Sequence, residues 1–274
     1  MKNTFAALIL PLFLAGIVVT TSNTSCKSRK KEKKIEFEQA GGVLVDEIEK
    51  NVYPLPTSAE VIKMLTDLEV GYIFGISNPA ENSKKYIKST DRAINLGGYG
   101  ADLSYATLYN MQQEVLNYLS ALRSLANELN MSQIYDESWY EKIRQNYDNR
   151  DELVRILTDA FQNTYAYLVD NDQETLAMLV VGGAWVEGLY LTTHVSEAAY
   201  QIAGISRSLL EQKKSFDTYM EITKPYADDP DIRDFLEILE PIKKVNEGLG
   251  TSLSQQNIID ITKAVEEIRA RIIK

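Results

Sequence analysis

Residues 108–129 read LYNMQQEVLNYLSALRSLANEL, with apolar side chains at Leu108, Met111, Val115, Tyr118, Leu122, Leu125 and Leu129. The intervals alternate between three and four residues, which places all seven on one face of an α-helix and is incompatible with the two-residue alternation of a strand. The seam predicts one long helix over about 99–130. The same period recurs on both sides of it. Val61, Ile62, Leu65, Leu68, Tyr72 and Ile73 form a face behind Thr57 and Glu60, a capping box. Asn78-Pro79 ends that helix, and a second over 80–95 is expected to stop at Leu96-Gly97-Gly98.

Downstream, a short helix over 135–147 leads to one carrying Leu153, Ile156, Leu157, Ala160, Phe161, Tyr165 and Leu168. The run 176–191 is apolar nearly all round, the mark of a central buried helix. Ala198, Ile202, Ile205 and Leu209 continue as another. Asp229-Pro230 is a cap followed by proline at the first helical position, and Pro241 should kink or split the helix it opens near Ile238. Ser254 starts a last helix with its seam at Ile258, Ile261, Val265, Ile268 and Ile272. The fold expected is all-α, a bundle of about seven to eight helices, with 57–274 as one domain.

Two segments match at a constant offset of 85 residues: Gly97-Gly98 with Gly182-Gly183, Asp102 with Glu187, Tyr105 with Tyr190 and Thr107 with Thr192. They suggest an internal duplication, about 97–170 and 182–250, giving two pseudo-symmetric helical units; an irregular single bundle is the plain alternative.

The N-terminus carries Lys2, then an uncharged apolar run over 5–19 and a small polar stretch over 20–25, the order of a secretory signal peptide over 1–25. The run is short for a membrane span, and Pro11 interrupts it. Cys26, the only cysteine, follows directly. It has no cysteine to pair with, and lipidation would consume its thiol. Asn23-Thr24-Ser25-Cys26 resembles the lipobox of bacterial lipoproteins, in the looser form ending Ser-Cys, although no aliphatic residue stands three before the cysteine. Residues 26–56 then read as lipidated cysteine, basic tether (Lys27, Arg29, Lys30, Lys31, Lys33, Lys34) and linker ending in Pro54-Leu55-Pro56. Lysines beside a lipid anchor face anionic headgroups, and a hydrophilic spacer has the same composition. The expected location is the cell envelope, lipid-anchored and facing the periplasm.

Lys2 and the tether hold seven of the 29 basic residues and one of the 39 acidic, which leaves a net charge of −16 from Ile35 onward. So acidic a body repels polyphosphate, and no nucleic-acid partner is expected. The stretches Gly98-Tyr99-Gly100-Ala101-Asp102-Leu103-Ser104-Tyr105-Ala106 and Gly182-Gly183-Ala184-Trp185-Val186-Glu187-Gly188-Leu189-Tyr190-Leu191 resemble an uncharacterised family of helical Bacteroidetes lipoproteins, a likeness covering most of the chain past residue 57. The resemblance implies export and a helical fold, and implies no chemistry.

His194 is the only histidine, so a zinc site or a histidine-based triad has little to build on, and no cofactor or metal is expected. A structural histidine at a helix end fits better. Asp102 and Glu187 stand out because each interrupts a glycine-flanked, aromatic helical segment. Buried carboxylates must be hydrogen-bonded, paired or protonated, which describes a catalytic acid as well as a structural bond to Tyr105 or Tyr190. For Glu187 the expected partner is Tyr105. Tyr135, Trp139, Tyr140 and Tyr147 cluster around the short helix, either as exposed aromatics for a ligand or partner or as a cap on the bundle end. Two functions result: a non-catalytic lipoprotein that binds a small ligand or an envelope protein, and a hydrolase using Asp102 and Glu187 as an acid/base pair.

Overall fold

A computed structural model describes residues 71–197 and 203–274. The expected leader, Cys26, the expected tether and all but the end of the helix expected from Thr57 fall outside them. The described residues are all-α, without a strand: α1 (Ser89–Leu108), α2 (Gln112–Glu128), α3 (Glu137–Gln145), α4 (Arg150–Asp170), α5 (Glu174–Glu197), α6 (Ala203–Thr223), α7 (Pro230–Ile238), α8 (Glu240–Glu247) and α9 (Gln255–Ile272), with 3-10 helices at Ala80–Lys85 and Lys224–Tyr226. Nine α-helices exceed the expected seven to eight. One addition is the break at Leu239, just before Pro241, that separates α7 from α8.

The centre is the pair α1 and α5. From 174 to 194, α5 is long and apolar enough to cross a membrane, yet 83% of that stretch is buried inside the fold, which makes it a core helix. Glycines let the two backbones touch. A Cβ on Gly97 would stand 1.9 Å from the Val180 carbonyl oxygen, and one on Gly183 would stand 1.9 Å from that of Ile94. No other residue fits there, so the roughly 1 kcal/mol of helix propensity that each glycine costs is offset by close packing. Gly97-Gly98 therefore does not stop a helix, contrary to the sequence reading; α1 runs through it.

The seam at 108–129 is not one helix. Asn110 takes φ 53°, the Met111 amide donates back to the Ala106 carbonyl at 2.9 Å, and the chain reverses. Tyr99 then lies against Tyr118 and Arg92 pairs with Glu128, an antiparallel hairpin of α1 and α2. Asparagine tolerates the left-handed conformation that closes a helix, and the device recurs at Asn130 and at Asp172, each followed by the same long return bond (Met131 to Ala126, Gln173 to Leu168). The last two ends fall where the sequence places them; at 110 the apolar period continues across the turn and conceals it.

Candidate functional site

Residues 72–79 form no helix, although Tyr72 and Ile73 were expected on one. Their backbone groups are taken by side chains from two helices instead. The Ile73 amide donates to the Tyr105 hydroxyl at 3.0 Å, and the Asn78 amide donates to Asp102 Oδ2 at 3.2 Å. The Ile76 carbonyl accepts from Arg269 Nη2 at 3.0 Å, and the Pro79 carbonyl accepts from the Tyr99 hydroxyl at 2.8 Å. Buried irregular backbone needs partners of this kind in place of a helical ladder. Asn78 continues the network, giving its side-chain amide to the Tyr86 hydroxyl at 2.9 Å and to Asn95 Oδ1 at 3.4 Å.

Below this segment lie the two carboxylates that the sequence singles out. Asp102 is fully buried and Glu187 is 4% exposed. The partner of Glu187 is not Tyr105, whose hydroxyl serves Ile73. It is Arg269 of α9, whose Nε donates to both carboxylate oxygens at 2.9 and 2.8 Å. Arg269 also stacks over Tyr190, 4.0 Å from guanidinium carbon to ring centroid. Burial is the largest single influence and opposes its charge, but the attraction and hydrogen bonds of Glu187, with Asp102 and Tyr190, together outweigh it and hold the pKa above the usual arginine range. For Asp102, burial first and the charge of Glu187 second push the carboxyl well above the usual range, against the opposing pull of Arg269. One cation serves two neighbouring acids, and Asp102 is the one driven toward its protonated form.

Outside this cluster opens a cleft of about 560 Å³, lined by Tyr72, Phe74, Ser77, Asn117, Tyr118 and Ser124 among others. Neither Asp102 nor Glu187 lines it. Ser77 is the point of contact between the two: it sits in the cleft wall, and the Asp102 carboxyl and the hydroxyls of Tyr72 and Tyr118 converge on it. Ser77 Oγ and Asp102 Oδ1 are both buried, and neither completes a hydrogen bond of ordinary geometry although the two groups adjoin. Burial, followed by the charge of Glu114, raises the Tyr72 hydroxyl to about 12, so it is a neutral donor at ordinary pH.

The aromatic group at 135–147 does not form an exposed patch. Tyr135 and Trp139 are buried, Tyr140 and Tyr147 half-buried. Tyr135 shares a 2.8 Å hydrogen bond with Thr164, Tyr140 donates to the Leu119 carbonyl, and Tyr135, Trp139 and Tyr140 meet edge to face. Tyr135 and Tyr140 find polar partners inside the bundle end, while the Trp139 Nε1 and the Tyr147 hydroxyl are buried without a hydrogen bond among the described residues. His194 sits at the end of α5, Nδ1 against the Tyr190 carbonyl at 2.8 Å and Nε2 3.1 Å from Glu266.

Sequence reasoning missed Arg269, Ser77 and Asn78. Arg269 carried a signal: it lies four residues after Val265 and three before Ile272, on the apolar stripe of α9, where a charge implies a buried counter-charge. Ser77 and Asn78 carried none, since Asn-Pro reads as a helix breaker whether it is buried or not.

No known protein family, curated protein or solved structure matches this chain.

Proposed function

We propose that this is an exported, lipid-anchored envelope protein whose helical body binds a small ligand or an envelope partner and performs no catalysis. The N-terminal pattern, the lone Cys26 and the basic tether support export and anchoring. The observation that carries the non-catalytic reading is the closure of Glu187 by Arg269. Both oxygens of the Glu187 carboxylate are engaged by Nε, neither carboxylate lines the cleft, and Asp102 is bound to the backbone of Asn78. A general acid or base must reach the proton it transfers, directly or through one water. Groups enclosed in this way instead hold residues 72–79, and with them one wall of the cleft, in a fixed conformation. Pre-formed clefts of a few hundred cubic ångströms with a handful of polar groups are the usual form of small-ligand sites.

The test is a survey of the purified full-length protein against ester, glycoside and peptide substrates, alongside Asp102→Asn. No turnover above background is expected from either. A hydrolytic activity that Asp102→Asn abolishes, in a protein that melts like its parent, would overturn the proposal.

A further inference from the structure

We infer that the cleft beside Ser77 binds a neutral, polyhydroxylated ligand of the oligosaccharide class, an inference that rests on the non-catalytic binding reading and specifies its ligand. Four observations lead there. The first is size: about 560 Å³ lies inside the range of roughly 300–1,000 Å³ that small-ligand sites occupy.

The second is the chemistry of the wall. A sugar ring has an apolar C–H face and polar edges, so its site needs an aromatic surface beside neutral hydroxyl and amide groups. Phe74 is 73% exposed at the cleft, held by an edge contact to Tyr72 at 5.0 Å. Its ring presents an apolar face on which a sugar ring can lie. Around it stand Ser77, Ser83, Asn117, Ser120 and Ser124. C–H contacts to a ring face and hydrogen bonds to such groups are complementary parts of one recognition surface.

The third is charge. Glu81 and Glu114 outnumber Lys84 among the lining residues, so the cleft disfavours an anion. A neutral ligand meets no such repulsion, and the three charged groups remain available as hydrogen-bond partners for its hydroxyls.

The fourth is a fixed wall. Ser77 is 5% exposed, and its hydroxyl faces the Asp102 carboxyl and the hydroxyls of Tyr72 and Tyr118. The backbone on either side of it is tied, the Ile76 carbonyl to Arg269 and the Asn78 amide to Asp102. The site is therefore pre-organised, with its ordering cost met in folding and not in binding.

The experiment is calorimetric titration of the full-length protein in phospholipid nanodiscs with maltotriose, cellotriose, xylotriose and triacetylchitotriose, and with spermidine and inorganic phosphate as charged probes. At least one trisaccharide should bind. Phe74→Ala and Asn117→Ala, both at solvent-accessible positions, should each weaken it by roughly tenfold or more without moving Tm. Binding by no trisaccharide, binding indifferent to both substitutions, or competition by spermidine or phosphate overturns the ligand class and leaves the non-catalytic reading standing. Mass spectrometry of the recovered sugar separates the two. Intact sugar supports the inference as stated, whereas shortened sugar keeps the ligand class and overturns the non-catalytic reading.

Discussion

Arg269 holds Glu187 by a forked contact, Nε at 2.9 and 2.8 Å from the two carboxylate oxygens, while its Nη2 reaches the Ile76 carbonyl at 3.0 Å. One side chain thereby joins the last helix, the central helix and the irregular segment that walls the cleft. Removing it strands a buried carboxylate. Arg269→Ala should cost about 3–5 kcal/mol in urea denaturation, whereas Glu187→Gln, which keeps an acceptor, should cost less than Glu187→Ala. In a double-mutant cycle the pair should show coupling of about 0.5–3 kcal/mol; additive losses would show that the contact does not bear on stability.

Asp102 should make stability fall as pH rises. Its pKa is raised in the fold, so above the ordinary carboxyl range the native state retains a proton that the unfolded chain has released. Stability is full below the unfolded value and declines by about 1.4 kcal/mol per pH unit until the raised value is passed. Asp102→Asn keeps an acceptor for the Asn78 amide and has no proton to lose. Melts of the two proteins from pH 4 to pH 8 should diverge, with the variant gaining on the parent as pH rises. Parallel curves would place an ionised Asp102 in the core.

Two neighbouring kinds of glycine should respond in opposite ways to alanine. At Gly183 the new methyl would collide with the Ile94 backbone, which cannot yield without parting α1 from α5. Gly183→Ala should lower Tm by many degrees or prevent folding. At Gly98 the nearest atom to a new methyl is Glu187 Cβ at 3.9 Å, an ordinary contact, so Gly98→Ala should be neutral or stabilise by up to about 1 kcal/mol. Equal effects at the two positions would refute the close approach of the backbones.

Much of the fold is legible in the sequence because helix ends and apolar faces are local signals. Asp229 and Ser254 cap the helices they were expected to cap, Pro241 splits the helix it was expected to disturb, and the run at 176–191 is central and buried. The failures involve information that is not local. Gly97-Gly98 looks like a stop until α5 is laid against it, and Asn110 looks like one more helical position until the chain folds back. The site divides in the same way. A carboxylate inside an apolar helix announces that it has a partner, but which residue 82 positions away supplies it depends on packing.

Anchoring is tested at Cys26. A Cys26→Ala variant should lose metabolic palmitate label and leave the membrane fraction, since the basic tether alone binds weakly at physiological salt. Unchanged partitioning would remove lipidation from the account.

The claim on which the rest depends is that the buried polar cluster serves to hold residues 72–79. Amide hydrogen exchange measured by NMR reads this directly, at Ile73, bonded to Tyr105, and at Asn78, bonded to Asp102. Both amides should be strongly protected in the parent, and Glu187→Ala should shorten their lifetimes more than those of amides in α4. Exchange at Ile73 and Asn78 as fast as in exposed coil would contradict the account and return Asp102 and Glu187 to the acid/base reading.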